Sequence, residues 1–540
     1  MNRFATAIKA PSRERPISDI GFLGLFFLLG LALMNYGYFN AYSDGAFLLY
    51  LVVIILFGIS YIIYLSYNAA PHLALLHWLT FYLIFLKKEL RPDMDALLNV
   101  GLGFYNVGLS MYNIIDVILI ISMLVVFYNN KARRPLPPLS SGTKLLYYSF
   151  VAMAIVGLLH VGLVWLNIDI LGNAGYDRLF IGIWPLLAGL VVFNFSRMFI
   201  LSKKHVETIF LIGIVASLLL FIEFALVKYT NLMSEQFVYY SFNYRNSFRS
   251  FFQSGDLFVT LILAFGSAAC LYYFITRKAL IFLVMNGLFI VTGFYTYNRG
   301  SLLSILLMNT LVLGGVVLKN KNKILLGIMI GLLGISTFYM VQDYQVFETV
   351  EQEEAKDYSR GTEGFWGFGS LLTRTGASSR GLDVFWDNPF FGCGPGNMVA
   401  FMGTPKVPTH MDLGWLSSPA LAEYYSIKSG ERPTNAHNWY VGIMVEYGMV
   451  AILVLIFLGK TIYSNFRQFW KKFSLSGENR ELSSLYLAQY CSFAFLAACA
   501  LYYLFQAVPP IYGLLFLALR ITLISGKEWL GAPVHLRHLG

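Results

Sequence analysis

A few arginines and one histidine stand where the rest of the chain gives little reason for them. Arg299 lies in YTYNRGS, a turn of a few residues between two apolar runs. Arg245 and Arg249 lie in SFNYRNSFRSFFQSGD, just ahead of another apolar run. Arg380 lies in SSRGLDVFWDNPFFGCGPGN, and His437 in PTNAHNWYVGIMVEYG, where a long hydrophilic stretch runs back into an apolar one. Charged groups at membrane depth are costly and mark functional positions by default. The planar guanidinium fork suits phosphate oxygens, so converging arginines point to an anionic phosphate group at a membrane boundary. A histidine at a helix mouth is a candidate general base. Each residue also has a plainer reading. Arg299 can snorkel to lipid headgroups, Arg245 and Arg249 can be solvated loop charges, Arg380 can pair with Asp383 or Asp387, and His437 can be a cap. The set weighs more than its members, because topology delivers all of them to one side.

The elements that must position them are membrane spans. Of the 540 residues, 57% are hydrophobic, 17% aromatic and only 13% charged, against about 25% charged in soluble domains. The net charge of +10 sits in short links between apolar runs, which is the positive-inside pattern rather than a nucleic-acid surface. Runs of about 20 apolar residues fall near 20–39, 47–67, 72–86, 109–128, 145–166, 178–196, 208–228, 257–276, 279–297, 301–318, 324–341, 438–458, 485–505 and 508–524. The expected fold is an all-α polytopic membrane protein of about 14 (12–14) transmembrane helices. The N-terminus, MNRFATAIKAPSRERP, lacks the apolar core of a signal peptide and reads as a retained cytoplasmic tail. With it inside, the basic links 131–134, 196–205, 277–278, 319–323 and 460–472 are cytoplasmic. The organisation is then a cytoplasmic tail (1–19), a bundle of about 11 spans (20–341), one large extracytoplasmic loop domain (342–436) between spans 11 and 12, a bundle of about three spans (437–524) and a second cytoplasmic tail (525–540). The loop carries twelve acidic and seven basic residues, a net charge of −5. Loops of this length are usually functional.

Other motifs bound the chemistry. The glycines of DNPFFGCGPGN let backbone approach something closely, although the plain reading is a tight turn leading into the next helix. Without a preceding strand or a βαβ unit, they are not a dinucleotide fingerprint. Asp93-Met94-Asp95 is a DxD that could hold a divalent cation, but Lys87, Lys88 and Arg91 stand beside it as ready ion-pair partners. No Walker loop, HExxH or CxxC occurs, which gives no support to ATP-driven transport or zinc chemistry. Of the four cysteines, only Cys393 falls in the long loop, so it holds no disulfide framework.

Three segments, in order, resemble the O-antigen ligase and polymerase superfamily (the Wzy/WaaL-like surface-polysaccharide enzymes). NRGSLLSILL is similar to its SRG-type segment, RGLDVFWDNPFFGCGPGN to its R…W…nPl-G-G-GN segment, and NAHNWYVGIMVEYGMVAILVL to its HN-x-Y…E-x-G segment. The resemblance covers roughly residues 200–460. It departs from the family pattern before span eight, where SFRSFFQSGD has Gly255-Asp256 in place of Pro-Asn. That leaves Arg245 and Arg249 both open as the counterpart arginine, with Arg249 preferred.

The resemblance implies a GT-C-like fold and an inverting, metal-independent membrane glycosyltransferase of the bacterial inner membrane, with its active site facing the periplasm. It implies no cofactor and no metal ligands. The donor would be an undecaprenyl-diphosphate-linked oligosaccharide, and the acceptor a glycan or lipid A-core. Membrane lipids and a chain-length regulator would be further partners. On that reading Arg299 and Arg249 hold the diphosphate with Arg380 as a third cation, or Arg245 in place of Arg249, and His437 is the general base. Asn435 and Asn438 orient the imidazole or hold sugar hydroxyls, and Trp386, Trp439 and Tyr440 offer stacking surfaces, with packing in the core or at an interface the plainer reading of each. Glu446 reads as a buried hydrogen-bonding partner. Repeat-unit polymerase is the first expectation, then a ligase to lipid A-core or a protein oligosaccharyltransferase. A lipid-linked oligosaccharide flippase is the rival from another class, but it should carry its charges near the midplane.

Overall fold

The computed structural model describes residues 141–166, 176–198, 201–230, 256–296, 299–319, 368–396, 438–475, 480–504 and 512–530, with isolated positions such as Leu75, Leu139, Phe248 and Met398. Twelve helices run through these residues: α1 (Ser141–Trp165), α2 (Tyr176–Arg197), α3 (Lys203–Tyr229), α4 (Asp256–Arg277), α5 (Leu280–Phe294), α6 (Arg299–Lys319), α7 (Phe368–Asp387), α8 (Trp439–Tyr447), α9 (Met449–Leu475), α10 (Arg480–Tyr503), α11 (Tyr512–Thr522) and α12 (Gly526–Trp529). Five stretches are long and apolar enough to cross a membrane: Thr143–Leu163, Lys203–Tyr229, Val259–Arg277, Met449–Phe469 and Glu481–Tyr503. Four shorter apolar helices lie at Ile183–Arg197, Leu280–Phe294, Leu302–Val317 and Tyr512–Thr522. The expected spans at 20–39, 47–67, 72–86, 109–128 and 324–341 lie wholly or almost wholly outside the described residues.

Helix α4 is the hub, packed by α3, α5, α6 and α10. It can be central because its middle is small. Gly266 leaves room for the Ser217 hydroxyl, which would stand 2.0 Å from an added Cβ, and that hydroxyl donates to the Ile262 carbonyl at 2.9 Å. Small residues and polar bridges of this kind hold apolar helices together where burial alone gives no driving force. Helix α11 lies against α2 and α10, and α1 lies between α2 and α9. The outward residues Ile155, Leu158 and Leu159 on α1, Ile281 and Val284 on α5, and Leu453 and Ile456 on α9 are exposed and apolar, as lipid-facing surfaces are.

Two expectations change, and a third feature is new. The run 438–458 is not one span. Gly448, at φ 62°, ends α8 and the chain restarts as α9, so the apolar crossing stretch begins at Met449. The basic segment 460–472 is no loose link but the continuation of α9 to Leu475. The region 342–436 contains a 20-residue helix, α7, which is too polar for a hydropathy scan to mark.

Candidate active site

The glycine-rich turn after α7 docks onto α8, backbone against backbone. Cys393 donates its N–H to the Val445 carbonyl (2.9 Å), Gly394 to the Glu446 carbonyl (3.0 Å), and Met449 donates back to the Pro389 carbonyl (2.7 Å). Gly392, Gly394 and Gly396 all have positive φ, at 70°, 89° and 76°. At Gly392 an added Cβ would stand 2.4 Å from the Glu446 carbonyl carbon, and at Gly448 one would stand 2.6 Å from Phe390 backbone. Only glycine permits both the conformation and the approach. The close approach read from the spacing therefore exists, and its target is the last turn of α8. Glu446 completes the junction as the hydrogen-bonding partner it was expected to be: Oε1 accepts from the Gly396 N–H at 2.9 Å. Cys393 is fully buried beneath the turn. Burial, with the Glu446 carboxylate nearby, pushes its thiol well above the ordinary range, so it is no nucleophile.

The turn pulls α7 against α8. Ala377, Val384 and Phe385 pack with Cys393, Met398 and Val445, flanked by Val441 and Met444. Arg380 falls between Ala377 and Val384 on the same helical face and is 3% exposed. An arginine at that depth is held by protein and is no solvated surface charge. Trp386 behaves differently. It is 70% exposed, edge-on to Phe385 at 5.1 Å, and open for stacking.

Two expected substrate ligands have structural duties. Asn438 is the N-cap of α8, its Oδ1 accepting from the Tyr440 N–H (2.9 Å) and the Val441 N–H (3.3 Å). The cap satisfies helix donors that have no partner within the helix, and the signal for it, an asparagine directly before an apolar helix, is in the sequence. Tyr440 donates its hydroxyl to the Ala500 carbonyl at 2.7 Å, tying α8 to α10. Trp439 is also interior: 6% exposed, it packs against Tyr503 and Tyr512. At 439 and 440 the side chains thus take the plainer, packing role.

At the second arginine position, Arg299 is the first residue of α6. At the end of α5 the Thr296 hydroxyl donates to the Gly293 carbonyl at 2.7 Å. Phe248, the chain neighbour of Arg249, donates its N–H to the Tyr295 carbonyl at 2.8 Å, and its ring is buried against Phe224 at 5.5 Å. The chain ahead of Arg249 is thus pinned four residues from Arg299. His437, Asn435, Arg245 and Arg249 lie outside the described residues, as do Asp93 and Asp95. His437 immediately precedes the Asn438 cap, so the chain carries it to the mouth of α8.

No curated protein sequence matches the chain at a significant level. Residues 284–456 match the family model described as O-antigen ligase. That segment, about a third of the chain, begins inside α5 and ends inside α9, and so takes in the Arg299 turn, α7, the glycine turn and α8. Arg245 and Arg249 fall before it. Members of this family are generally membrane enzymes of the glycosyltransferase class. Through this segment the chain is similar to the O-antigen ligase family.

Proposed function

We propose that the protein transfers a glycan from undecaprenyl diphosphate to a sugar hydroxyl at the outer face of the bacterial inner membrane, as a polysaccharide repeat-unit polymerase. The observation that carries the reading is the docking of the glycine turn onto α8. It joins the helix bearing buried Arg380 to the helix whose mouth follows His437, all inside the matched segment. The hydrogen bond from Phe248 to Tyr295 gives Arg249 the better claim over Arg245, since it ties the neighbour of Arg249 to the Arg299 turn.

In the reaction, the acceptor hydroxyl oxygen attacks the anomeric carbon as the bond from that carbon to the diphosphate oxygen breaks. The electron pair leaves with the lipid diphosphate, and the hydroxyl proton passes to His437. Arg299 and Arg249 stabilise the charge growing on the diphosphate, with Arg380 supporting from α7; fixed cations in a poorly hydrated site are effective for this. Asn435 and the exposed Trp386 are left as sugar contacts. The family description also favours a second reading, in which the same donor is used and the acceptor is lipid A-core.

Purified protein supplied with the lipid-linked oligosaccharide should transfer glycan in the presence of EDTA. Arg299→Lys, which keeps the charge but loses the two-pronged contact, should lower turnover at least tenfold. Near-normal turnover in that variant would make Arg299 a membrane anchor. Lipid A-core consumed in preference to a second lipid-linked oligosaccharide would favour the ligase.

A further inference from the structure

His160 lies on α1, outside every motif considered so far. It is 6% exposed, and its Nδ1 stands 2.8 Å from the Val156 carbonyl oxygen. A carbonyl oxygen only accepts, so Nδ1 carries a proton, and in the tautomer protonated there alone Nε2 is a lone-pair acceptor. No other hydrogen-bond partner meets the ring among the described residues.

The position of the ring places it near the glycine turn. Gly157, three residues earlier and on the same face, would place a Cβ 2.5 Å from Ile183 Cδ1 of α2 and 3.4 Å from Pro395 Cγ. His160 therefore stands one helical turn from the contact between α1 and the glycine turn that docks on α8. The opposite face of α1, with Ile155, Leu158 and Leu159, points away from the bundle. A lone-pair acceptor repels phosphate oxygens, which themselves only accept, and suits a donor such as a sugar hydroxyl.

We propose that His160 is a saccharide-binding residue of the same site, its Nε2 accepting a hydrogen bond from a hydroxyl of the donor or the acceptor glycan. The inference rests on the transferase reading above.

Two near-isosteric variants of the full-length protein separate this role from a structural one. His160→Asn keeps a donor for Val156 and deletes the Nε2 position, whereas His160→Gln keeps a polar atom near that position. Transfer is measured with undecaprenyl-diphosphate oligosaccharide from the native host, varying donor and acceptor concentrations in separate series. His160→Asn should raise KM for one of the two substrates roughly three- to tenfold, the size of one lost neutral hydrogen bond, with kcat within about twofold. His160→Gln should recover most of the loss. The series in which KM moves identifies donor or acceptor. A lowered melting temperature with both KM values unchanged would overturn the proposal and leave His160 a packing residue. A fall in kcat at constant KM would overturn it also. Wild-type protein that transfers nothing would sink the transferase reading and this inference with it, whereas active wild type with unaltered variants sinks the inference alone.

Discussion

Two junctions at opposite ends of the bundle solve the problem of joining distant parts of the chain in opposite ways. At one, the turn Asn388–Gly396 meets the α8–α9 break through main-chain hydrogen bonds, with glycines where any Cβ would collide. At the other, the chain after α11 is latched by charge. Arg520, 3% exposed, pairs with Glu528 of α12 and donates from Nε to the Ser196 carbonyl at 3.2 Å. Glu528 also accepts from the Leu201 N–H at 3.0 Å, and Trp529 is buried beside it. Helix α11 links the two ends: Tyr512 at its start touches Trp439 of α8, and Arg520 near its close reaches the end of α2. A backbone junction fixes position tightly and tolerates no added atom. A buried ion pair tolerates small shifts but not the loss of one partner. The first kind suits a site whose groups must be placed within fractions of an ångström, and the second suits closing the bundle.

Substitutions at the two ends should separate stability from activity. Glu528→Gln strands the buried Arg520 charge, which typically costs about 3–5 kcal/mol. It should lower the melting temperature of detergent-solubilised protein more than any change at the turn, while the KM of the protein that remains folded stays near wild type. Gly392→Ala should do the reverse. The strain is confined to the turn and α8, so most of the melting temperature is kept, and transfer falls on the order of 10²-fold because the helix mouth is displaced. A Gly392→Ala protein with full activity would separate the turn from the site. Asn438→Ala removes only a cap and should cost about 1 kcal/mol. It should show as faster amide exchange in the first turn of α8 with a modest loss of rate. A loss as deep as that of a catalytic residue would restore Asn438 to a direct role.

What the sequence made legible follows the range of the forces involved. Apolar spans announce themselves through twenty-residue averages, and each described helix from α1 to α6 lies close to an expected run. The glycine turn was legible as a place of close approach because positive φ leaves a residue-type signature. Its partner was not, because the contact joins positions some fifty residues apart through main-chain atoms, to which side-chain identity is almost indifferent. The capping role of Asn438 was passed over for a different reason. Asparagine serves equally as a cap and as a sugar ligand, and its location beside His437 drew the functional reading ahead of the local one. Tyr440 shows the same ambiguity, and its partner is a carbonyl on α10 that no local pattern reveals. Helix α7 stayed hidden because a polar helix in a polar loop fails a hydropathy test, although Ala377, Arg380 and Val384 lie on one face. The Arg520–Glu528 latch was passed over because seven intervening residues and a helix end disguise the pair.

The central claim is that the mouth of α8 carries the base for glycan transfer. Its most direct test is the single-turnover rate of His437→Ala in purified, folded protein supplied with lipid-linked oligosaccharide. The account predicts a loss of about 10²–10⁴-fold with donor binding retained. A variant that transfers glycan at the wild-type rate would contradict it.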